Sequence, residues 1–566
     1  MRKKILARVL ALSLCAVAAM PAVGCGGSTG EKIDKNKTQV RVYHYNAGYG
    51  NKWVYELKKN FEELMKDEHF EDGKTGVQVL INGDMKARIS ADAWREEPFD
   101  VLFLENPDFF YEMMQDGVVA PLDDIMKVAN PDDDNQKIED KMTQQQRDAY
   151  TYNGKYYGIP HYAGHYGFIY NKDMFDKYNF YFAAEPDAAG NVFISETNTE
   201  KSLGPDGKTG MGADGIDYGA DDGLPTTFEE FFLLCDEINA NSIDPICWPG
   251  KYSHQHVVHM MDNLVANIEG AEQMNLNYTF NGTAKDLIVL DESDLENGEL
   301  VTEEKDITYD NGDELSRQRG KYYAIDFVSK ILTNTDYYNE QDSLDETLLH
   351  TTMQKKFLEN GAINSNRQNA MLVDGVWWQM EADAVFERMT RQDAKWSKEN
   401  RNFGWMPLPQ PTQEDADAVA SGEKKSVYLD YLNAVACIKS NTPSEGVKNA
   451  SLEFLKYAYT DKALCDFTYT TGTTIGVEYL DKVDRTQLTP YEKTLIDYIN
   501  KSDLVYQVSG NVQYAMNVKS FRPTNLYGSG TITGIVIGFT DKKYSKDMTA
   551  EKYFTGYQTW YDGLFA

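Results

Sequence analysis

From Thr38 onward, strand-like runs and helical patterns take turns along the chain, and this alternation constrains the fold more than any other feature. Val40-Arg41-Val42-Tyr43-His44-Tyr45 reads as a strand and residues 52–66 as a helix. Val77-Gln78-Val79-Leu80-Ile81 and Asp100-Val101-Leu102-Phe103-Leu104 read as further strands, the second passing through Glu105-Asn106-Pro107 into a helix near 108–115. A hydrophobic period that switches between two and 3.6 residues predicts an α/β fold, whose ligands bind at the carboxyl ends of the strands. Roughly 540 residues follow the N-terminal segment, more than one core organises, so at least two domains are expected. Two polar, irregular stretches, about 186–223 and 277–313, read as surface insertions. Asp214, Asp217, Asp221 and Asp222 in the first do not follow the twelve-residue calcium-loop spacing, which favours a solvated loop over a metal site. No internal repeat is visible, against a solenoid or propeller.

The first 24 residues have a different character. Arg2, Lys3 and Lys4 precede a run from Ile5 to Met20 that is apolar apart from Arg8 and a few small polar residues, and Ala22-Val23-Gly24-Cys25 ends it on small residues. This resembles a bacterial lipoprotein signal, although Ala22 stands where that class usually has leucine. The resemblance implies cleavage before Cys25 and a lipid on its thiol. An ordinary secretory peptide is the alternative, and both readings place the protein outside the cytoplasm. Residues 25–37 are small and polar, the composition of a flexible tether. Removing residues 1–24 leaves 52 basic against 89 acidic residues, a net charge of −37. Such a surface repels nucleic acid and anionic lipid. No later stretch has the roughly 18 apolar residues of a membrane span, which leaves the N-terminal lipid as the expected membrane attachment.

Beyond Cys25, the cysteines Cys235, Cys247, Cys437 and Cys465 sit in apolar settings and read as buried thiols; a Cys235–Cys247 bridge stays open. His254, His256 and His259, with His161 and His165 upstream, invite a zinc reading. A helix would align only His256 and His259, and no HExxH pattern completes the set, so no metal or cofactor is expected.

Tyr152-Asn153-Gly154-Lys155-Tyr156-Tyr157-Gly158-Ile159-Pro160, followed by Gly167-Phe168-Ile169-Tyr170-Asn171-Lys172-Asp173-Met174-Phe175, resembles the signature of extracellular solute-binding proteins of carbohydrate ABC importers, relatives of maltose-binding protein. Asn153-Gly154 is a hairpin turn and Asn171 a helix cap. Further matching segments follow in the family's order: Gly117 to Asp124 upstream, then Pro225-Thr226-Thr227-Phe228-Glu229-Glu230-Phe231, Asp244-Pro245-Ile246, Ala370 to Trp377, Phe403 to Pro409, Ala434 to Ile438, a helix from Ala450 to Ala458, and Thr471-Gly472-Thr473. Together they span about 38–480. The resemblance implies a type II periplasmic-binding-protein-like α/β fold of two lobes with a ligand cleft between them. Lobe one would combine 38–159 with 409–468 and lobe two 160–408 with 469–566. Hinges are expected at Gly158-Ile159-Pro160, at Met406-Pro407-Leu408-Pro409 and near 465–475, where closure over a solute would create the state a permease reads.

Sugars offer an apolar C–H face and a rim of hydroxyls, so their sites need aromatic platforms beside carboxylates and amides. By the family pattern Trp377 is the leading stacking candidate, with Trp378 beside it and Trp248 from the strand at 245–247. Tyr45 and Asn46, Asp84, and Glu105 with Asn106 follow the first three strands and are the polar candidates. Tyr162, just past a hinge, joins on closure; Tyr166 is a weaker candidate.

A carbohydrate, most simply an oligosaccharide, is the expected ligand of a monomeric, non-enzymatic receptor whose other partner is the permease. Two alternatives remain open: a surface hydrolase using paired carboxylates, and an importer receptor for a non-sugar solute. The chain has no serine elbow, dinucleotide fingerprint or Walker loop; residues 202–209 only approximate the last.

Overall fold

The computed structural model describes residues 31–46, 48–84, 90–105, 109–208, 221–364, 367–507 and 534–565. Cys25, Asn106, Asp214 and Asp217 lie outside them.

β1 (Thr38–Tyr45) and β2 (Val77–Asp84) are parallel, with Thr38 opposite Val77 and Tyr45 opposite Asp84, and are joined by helix α1 (Lys52–Leu64). α1 buries Trp53, Val54 and Phe61. β3 (Val101–Leu104) pairs parallel on the other side of β1. After α2 (Gln144–Ala149) comes a hairpin of β4 (Thr151–Tyr152) and β5 (Lys155–Tyr156). Its turn residues Asn153 and Gly154 have φ of 49° and 75°, the left-handed pair that Asn-Gly adopts at low cost. β6 (Ile159–Pro160) ends this part of the chain.

The second sheet begins with β7 (Tyr166–Asn171), buried at all six positions. Asn171 then caps α3 (Lys172–Tyr178) by accepting the Met174 N–H. α4 (Phe228–Ala240) opens on a capping box: Thr227 accepts the Glu230 N–H while the Glu230 carboxylate accepts the Thr227 N–H. β8 (Asp244–Cys247) leads into α5 (Ser253–Glu269), a helix buried on nearly every side. β9 (Gly282–Ile288) and β10 (Thr302–Ile307) form an antiparallel ribbon beneath which α6 (Arg319–Thr333) returns. β11 (Asn369–Gly375), α7 (Trp378–Glu381), β12 (Phe403–Met406) and β13 (Val427–Asp430) complete this part. The sheet order is β12-β7-β11-β8, with β8 parallel to β11 and the other pairs antiparallel.

The chain then returns to the first sheet. β14 (Val435–Ile438) inserts antiparallel between β3 and β6, giving β2-β1-β3-β14-β6, and α8 (Glu445–Ala458) and α9 (Asp461–Thr471) pack beside α1. α10 (Pro490–Lys501) goes back against β12, β15 (Asp503–Tyr506) pairs parallel with β13, and α11 (Ala550–Phe565) covers α6. Each sheet has its own apolar core, a two-lobed α/β architecture.

Three expectations change. Residues 407–430 stay with the second sheet: Asn267 donates to the Leu408 carbonyl, Gln410 and Phe228 bond through their backbones, and Asn263 and Asn267 accept the N–H groups of Leu429 and Val427. The return crossing therefore falls at about 431–434, because Asn267 holds Leu408, between the prolines at 407 and 409, and Asn263 and Asn267 hold residues 427 and 429 to the same helix. Ile475, Val477, Tyr479, Val483 and Leu488 belong to the first core, which moves the next boundary from 469 to about 489. The polar stretch 277–313 contains the β9–β10 ribbon, whose outer face is charged and whose inner face buries Ala284, Leu287 and Ile307 with Leu276 and Phe280. The described part of 186–223 is mostly irregular, held by isolated bridges Phe182–Phe193 and Ala183–Lys201.

Cys235, Cys247, Cys437 and Cys465 are buried free thiols. The histidines disperse. His161 packs on Phe103 and Trp53, His165 on Trp405 and Tyr428, and His256 donates from Nδ1 to the Val373 carbonyl at 3.1 Å. Among the described residues no three His, Cys, Asp or Glu side chains gather as metal ligands, and no helix is long and apolar enough to cross a membrane.

Candidate functional site

Three chain segments pass between the sheets and bond to one another. His161 N–H donates to Ala434 O (2.7 Å), Ala163 N–H to Thr474 O (2.9 Å), Tyr431 N–H to Gly164 O (2.7 Å) and Gly476 N–H to His161 O (2.8 Å). Asp430 adds a side-chain tie: its Oδ1 accepts the Gly164 and Leu432 N–H groups at 3.1 and 3.0 Å. The crossings thus form a hydrogen-bonded ribbon, which is tied to its surroundings by Gln146 Nε2 donating to Gly476 O, the Tyr506 hydroxyl to Ala434 O and Val376 N–H to His165 O.

Trp377 lies beside this ribbon. It follows β11 directly and is the one residue packed against all three large apolar cores of the described chain. Tyr49, from the turn before α1, reaches it with ring centroids 5.7 Å apart; Tyr166 meets it edge-on at 5.3 Å. Tyr49 also stacks on Tyr162 at 4.5 Å and donates its hydroxyl to Ala163 O at 2.8 Å. Tyr431 continues the aromatic wall, 5.7 Å from Tyr166 and 3.7 Å from His259. Three glycines permit the approach, since a Cβ on Gly48, Gly164 or Gly375 would run into the Trp377 ring. At the rim Lys52 Nζ of α1 pairs with Asp383 Oδ2 at 3.1 Å.

Carboxylates crowd the same place. Glu105 directly follows β3, and the Leu104–Val435 register sets it across from Ala434, next to the Asp430 turn. Burial pushes its carboxyl up to about 8, with Asp430 and Glu381 adding repulsion. Asp430 is fully buried and raised to about 7 by desolvation, its backbone donors offsetting only part. Glu381 sits one helical turn beyond Trp377; burial and then Asp374 raise it. Asp374 is raised by burial, against the Gln354 amide, which donates to both Asp374 (3.0 Å) and Glu381 (2.8 Å). Tyr162 is 1 % exposed and its hydroxyl has no partner, although it lies among Glu105, Tyr43, Tyr45 and Tyr49; Asp430 Oδ2 is likewise buried without a partner. Buried polar atoms left unmatched cost free energy, and at a crevice between sheets they point to a ligand that would satisfy them.

The structure therefore brings Tyr45, Glu105, Tyr162 and Trp377 together, and Asn46 lies just past β1 with partial exposure. Asp84 ends β2 opposite Tyr45; its side chain is outside the described residues. Two candidates are elsewhere. Trp378 is fully buried, 5.2 Å from Phe403 and 5.4 Å from Tyr491, because it points to the opposite side of the chain from Trp377. Trp248 is 1 % exposed against Tyr338 at 4.7 Å in the second-sheet core. Both rings are committed to packing. The sequence reading missed Tyr49, Glu381, Asp430 and Tyr431. The run Tyr428-Leu429-Asp430-Tyr431-Leu432-Asn433 does signal a polar interruption before a buried strand, and Glu381 is four residues from Trp377, the spacing of one helix face.

Residues 51–254 match the family model of bacterial extracellular solute-binding proteins. The motif resemblance is thereby borne out over the first crossing and both flanking regions. In solved structures the chain is similar to a chitin oligosaccharide binding protein (TM-score 0.51, 14% identity, 94% of this chain and 99% of the other). It is similar also to the SBP RafE in complex with raffinose (TM-score 0.50, 12% identity, 94% and 100%). At such identities the likeness speaks for the fold, a two-lobed periplasmic-binding-protein-like one. No curated protein matches the sequence.

Proposed function

We propose that this chain is the substrate-binding component of an ABC importer, which captures a sugar or oligosaccharide between its two lobes and presents it to a membrane permease. The observation that carries the reading is the Trp377 junction: a partly exposed indole, flanked by Tyr49 and Tyr166, beside Glu105 and Glu381 and next to the three bonded crossings. An aromatic platform with carboxylates at its edge matches the apolar face and hydroxyl rim of a pyranose. Crossings that bond to one another suit hinge closure around a bound solute. The solute-binding family match and the sugar named for each structural neighbour support the same ligand class. Tyr45, Asn46, Glu105, Tyr162 and Trp377 are the ligand contacts of this reading, joined by Tyr49, Asp430 and Glu381.

Cys25 carries the lipid that retains the protein at the outer face of the cell membrane, which raises its effective concentration at the permease. Mass spectrometry of the mature N-terminus is expected to show a diacylglyceryl-modified Cys25; an unmodified terminus would remove the anchor. The function itself is tested by a thermal-shift screen of the chain from about residue 31 against mono- and oligosaccharides, with product analysis of each hit. A shift with no product supports the reading, and released sugar would replace it with hydrolysis.

A further inference from the structure

Residues 31–37 are fastened to the first lobe, contrary to the flexible segment expected through residue 37. Asp34 N–H donates to Gln78 Oε1 at 2.8 Å, the Gln78 amide donates back to Lys32 O at 3.1 Å, Thr75 N–H donates to Asn36 O at 2.8 Å, and Glu31 pairs with Lys58 of α1 at 2.6 Å. Six residues, 25–30, therefore separate Cys25 from the folded chain, a reach of at most about 20 Å. The end of the molecule held there differs in charge from the rest. Residues 31–66 carry 8 basic and 5 acidic residues, whereas 67–566 carry 44 and 84, a net charge of −40. The five acidic side chains are engaged: Glu31 with Lys58, Glu63 with Lys66 at 2.7 Å, Asp34 by the Asn36 N–H at 3.0 Å, Glu56 by the Thr470 hydroxyl at 2.7 Å and Glu62 by the Val79 N–H at 2.7 Å. The ion pairs of this face use Lys58 and Lys66; among the described residues Lys32, Lys35, Lys37 and Lys59 make none. Lys37, Lys58, Lys59 and Lys66 surround Tyr55 in a surface groove of about 580 Å³. Tyr55 is 38% exposed, and Ile33 in the fastened segment 55%.

An anionic surface attracts one end of such a molecule and repels the other, so it orients the molecule even where the total charge opposes binding. A lipid on Cys25 supplies the attachment that the total charge opposes, and the short connection brings the lysine face to the headgroups. We propose that residues 31–37 and the outer face of α1 form a membrane-docking surface, on which Lys32, Lys35, Lys37 and Lys59 pair with the phosphates of anionic phospholipids while Tyr55 and Ile33 enter the headgroup layer. Long lysine stems around a tyrosine ring suit that boundary, because each side chain has an apolar body and a polar tip. The acidic remainder of the molecule turns away from the bilayer. A second copy of the chain and a soluble anionic polymer are the competing occupants, and the connection to Cys25, which ends on this face, favours the bilayer over both. The proposal rests on the lipid-anchor reading of Cys25 and adds how the anchored molecule is held.

The test attaches the full mature chain through its Cys25 thiol to vesicles bearing a maleimide lipid, the other four cysteines being buried free thiols. Vesicles of phosphatidylcholine alone are compared with vesicles rich in phosphatidylglycerol, and acetylation by an amine-reactive ester is read at each lysine by mass spectrometry. On the anionic vesicles reactivity is expected to fall about threefold or more at Lys32, Lys35, Lys37 and Lys59, and to stay unchanged at the exposed Lys330 and Lys395 of the second lobe. High salt should abolish the protection. In the variant Lys35→Glu with Lys59→Glu, both exposed positions, Lys32 and Lys37 should lose it. Equal reactivity on the two kinds of vesicle, or the same protection on the second lobe, overturns the docking surface. Protection that follows protein density on the vesicle instead of lipid charge overturns it in favour of a second copy, and protection by soluble polyphosphate but not by anionic vesicles overturns it in favour of a polymer. The maleimide supplies the attachment, so these outcomes are separate from whether the cell acylates Cys25, which mass spectrometry of the mature N-terminus decides.

Discussion

Trp377 has two tasks that pull against each other. Its indole joins the apolar cores on both sides of the crossings, yet it keeps an exposed part on which a ligand can stack. Trp377→Ala is expected to weaken sugar binding by about tenfold to a hundredfold, the range for losing an aromatic anchor in a desolvated site. It should also lower stability by roughly 2–4 kcal/mol, because three sets of neighbours lose a packing partner. Trp377→Phe separates the effects: stability recovers most of the way, and affinity only in part. Calorimetry with denaturant titration reads both, and unchanged affinity in the alanine variant would remove Trp377 from the site. Gly164 is the complementary case. A methyl there would stand 2.6 Å from Trp377 Cζ3 and from Leu432 Cδ1, and 2.9 Å from the Tyr49 hydroxyl. Gly164→Ala should therefore wedge the indole away from the crossings, increasing the radius of gyration in small-angle scattering and reducing affinity more than stability.

Among the elements, those whose ends carry their own chemistry were legible in the sequence. The Asn153-Gly154 hairpin, the Asn171 cap and the Thr227–Glu230 capping box depend on side chains within four residues of the backbone groups they satisfy. The β3 end, with Glu105, was legible for the same local reason. The return crossing was not, because what decides it is remote: Asn263 and Asn267, some 160 positions away in sequence, hold β13 to α5 and carry the chain past the prolines that looked like a hinge. Trp377 and Trp378 are adjacent and chemically identical, and only the packing of Phe357, Phe403 and Tyr491 makes the second a core residue. Asp430 belongs to this remote class, since its Oδ1 ties one crossing to another. Asp430→Ala should cost about 2–4 kcal/mol by leaving two buried N–H groups unmatched. Asp430→Asn, which keeps an acceptor, should cost well under half as much. Equal losses in the two variants, measured by chemical denaturation, would show that the tie is not what holds the crossings together.

For the whole molecule, the buried acids set a pH response whose sign can be worked out. Glu105 is raised to about 8, Asp430 and Glu269 to about 7, and Glu381 moves the same way, all chiefly by desolvation. Their folded pKa values exceed the unfolded ones, so the folded chain binds more protons and stability falls as pH rises toward 8. Buried His165 and His256, both lowered to about 3, and His161, lowered well below 6.5, act in the opposite direction, but only below 6.5, where the unfolded histidines take up protons. Lys321, fully buried with its ammonium on Asn277 Oδ1 and Leu315 O, is lowered to about 7 and so adds stability as pH rises beyond that point. One lysine opposes at least two carboxyls still protonated at neutrality, and the net slope between about 6.5 and 8 is downward. Two of those carboxyls, Glu105 and Glu381, belong to opposite sides of the cleft, and parting the lobes hydrates both without unfolding either core. Raising the pH from about 6.5 to about 8 should therefore open the unliganded molecule before it unfolds, seen as a larger radius of gyration at temperatures where the secondary-structure signal is unchanged. In Glu105→Gln the opening should be smaller and the melting temperature at pH 8 higher than in the parent chain, with little difference at pH 6. A flat pH response in the parent, or the same opening in the variant, would mean that the carboxyls at the junction are already hydrated and do not govern how the lobes close.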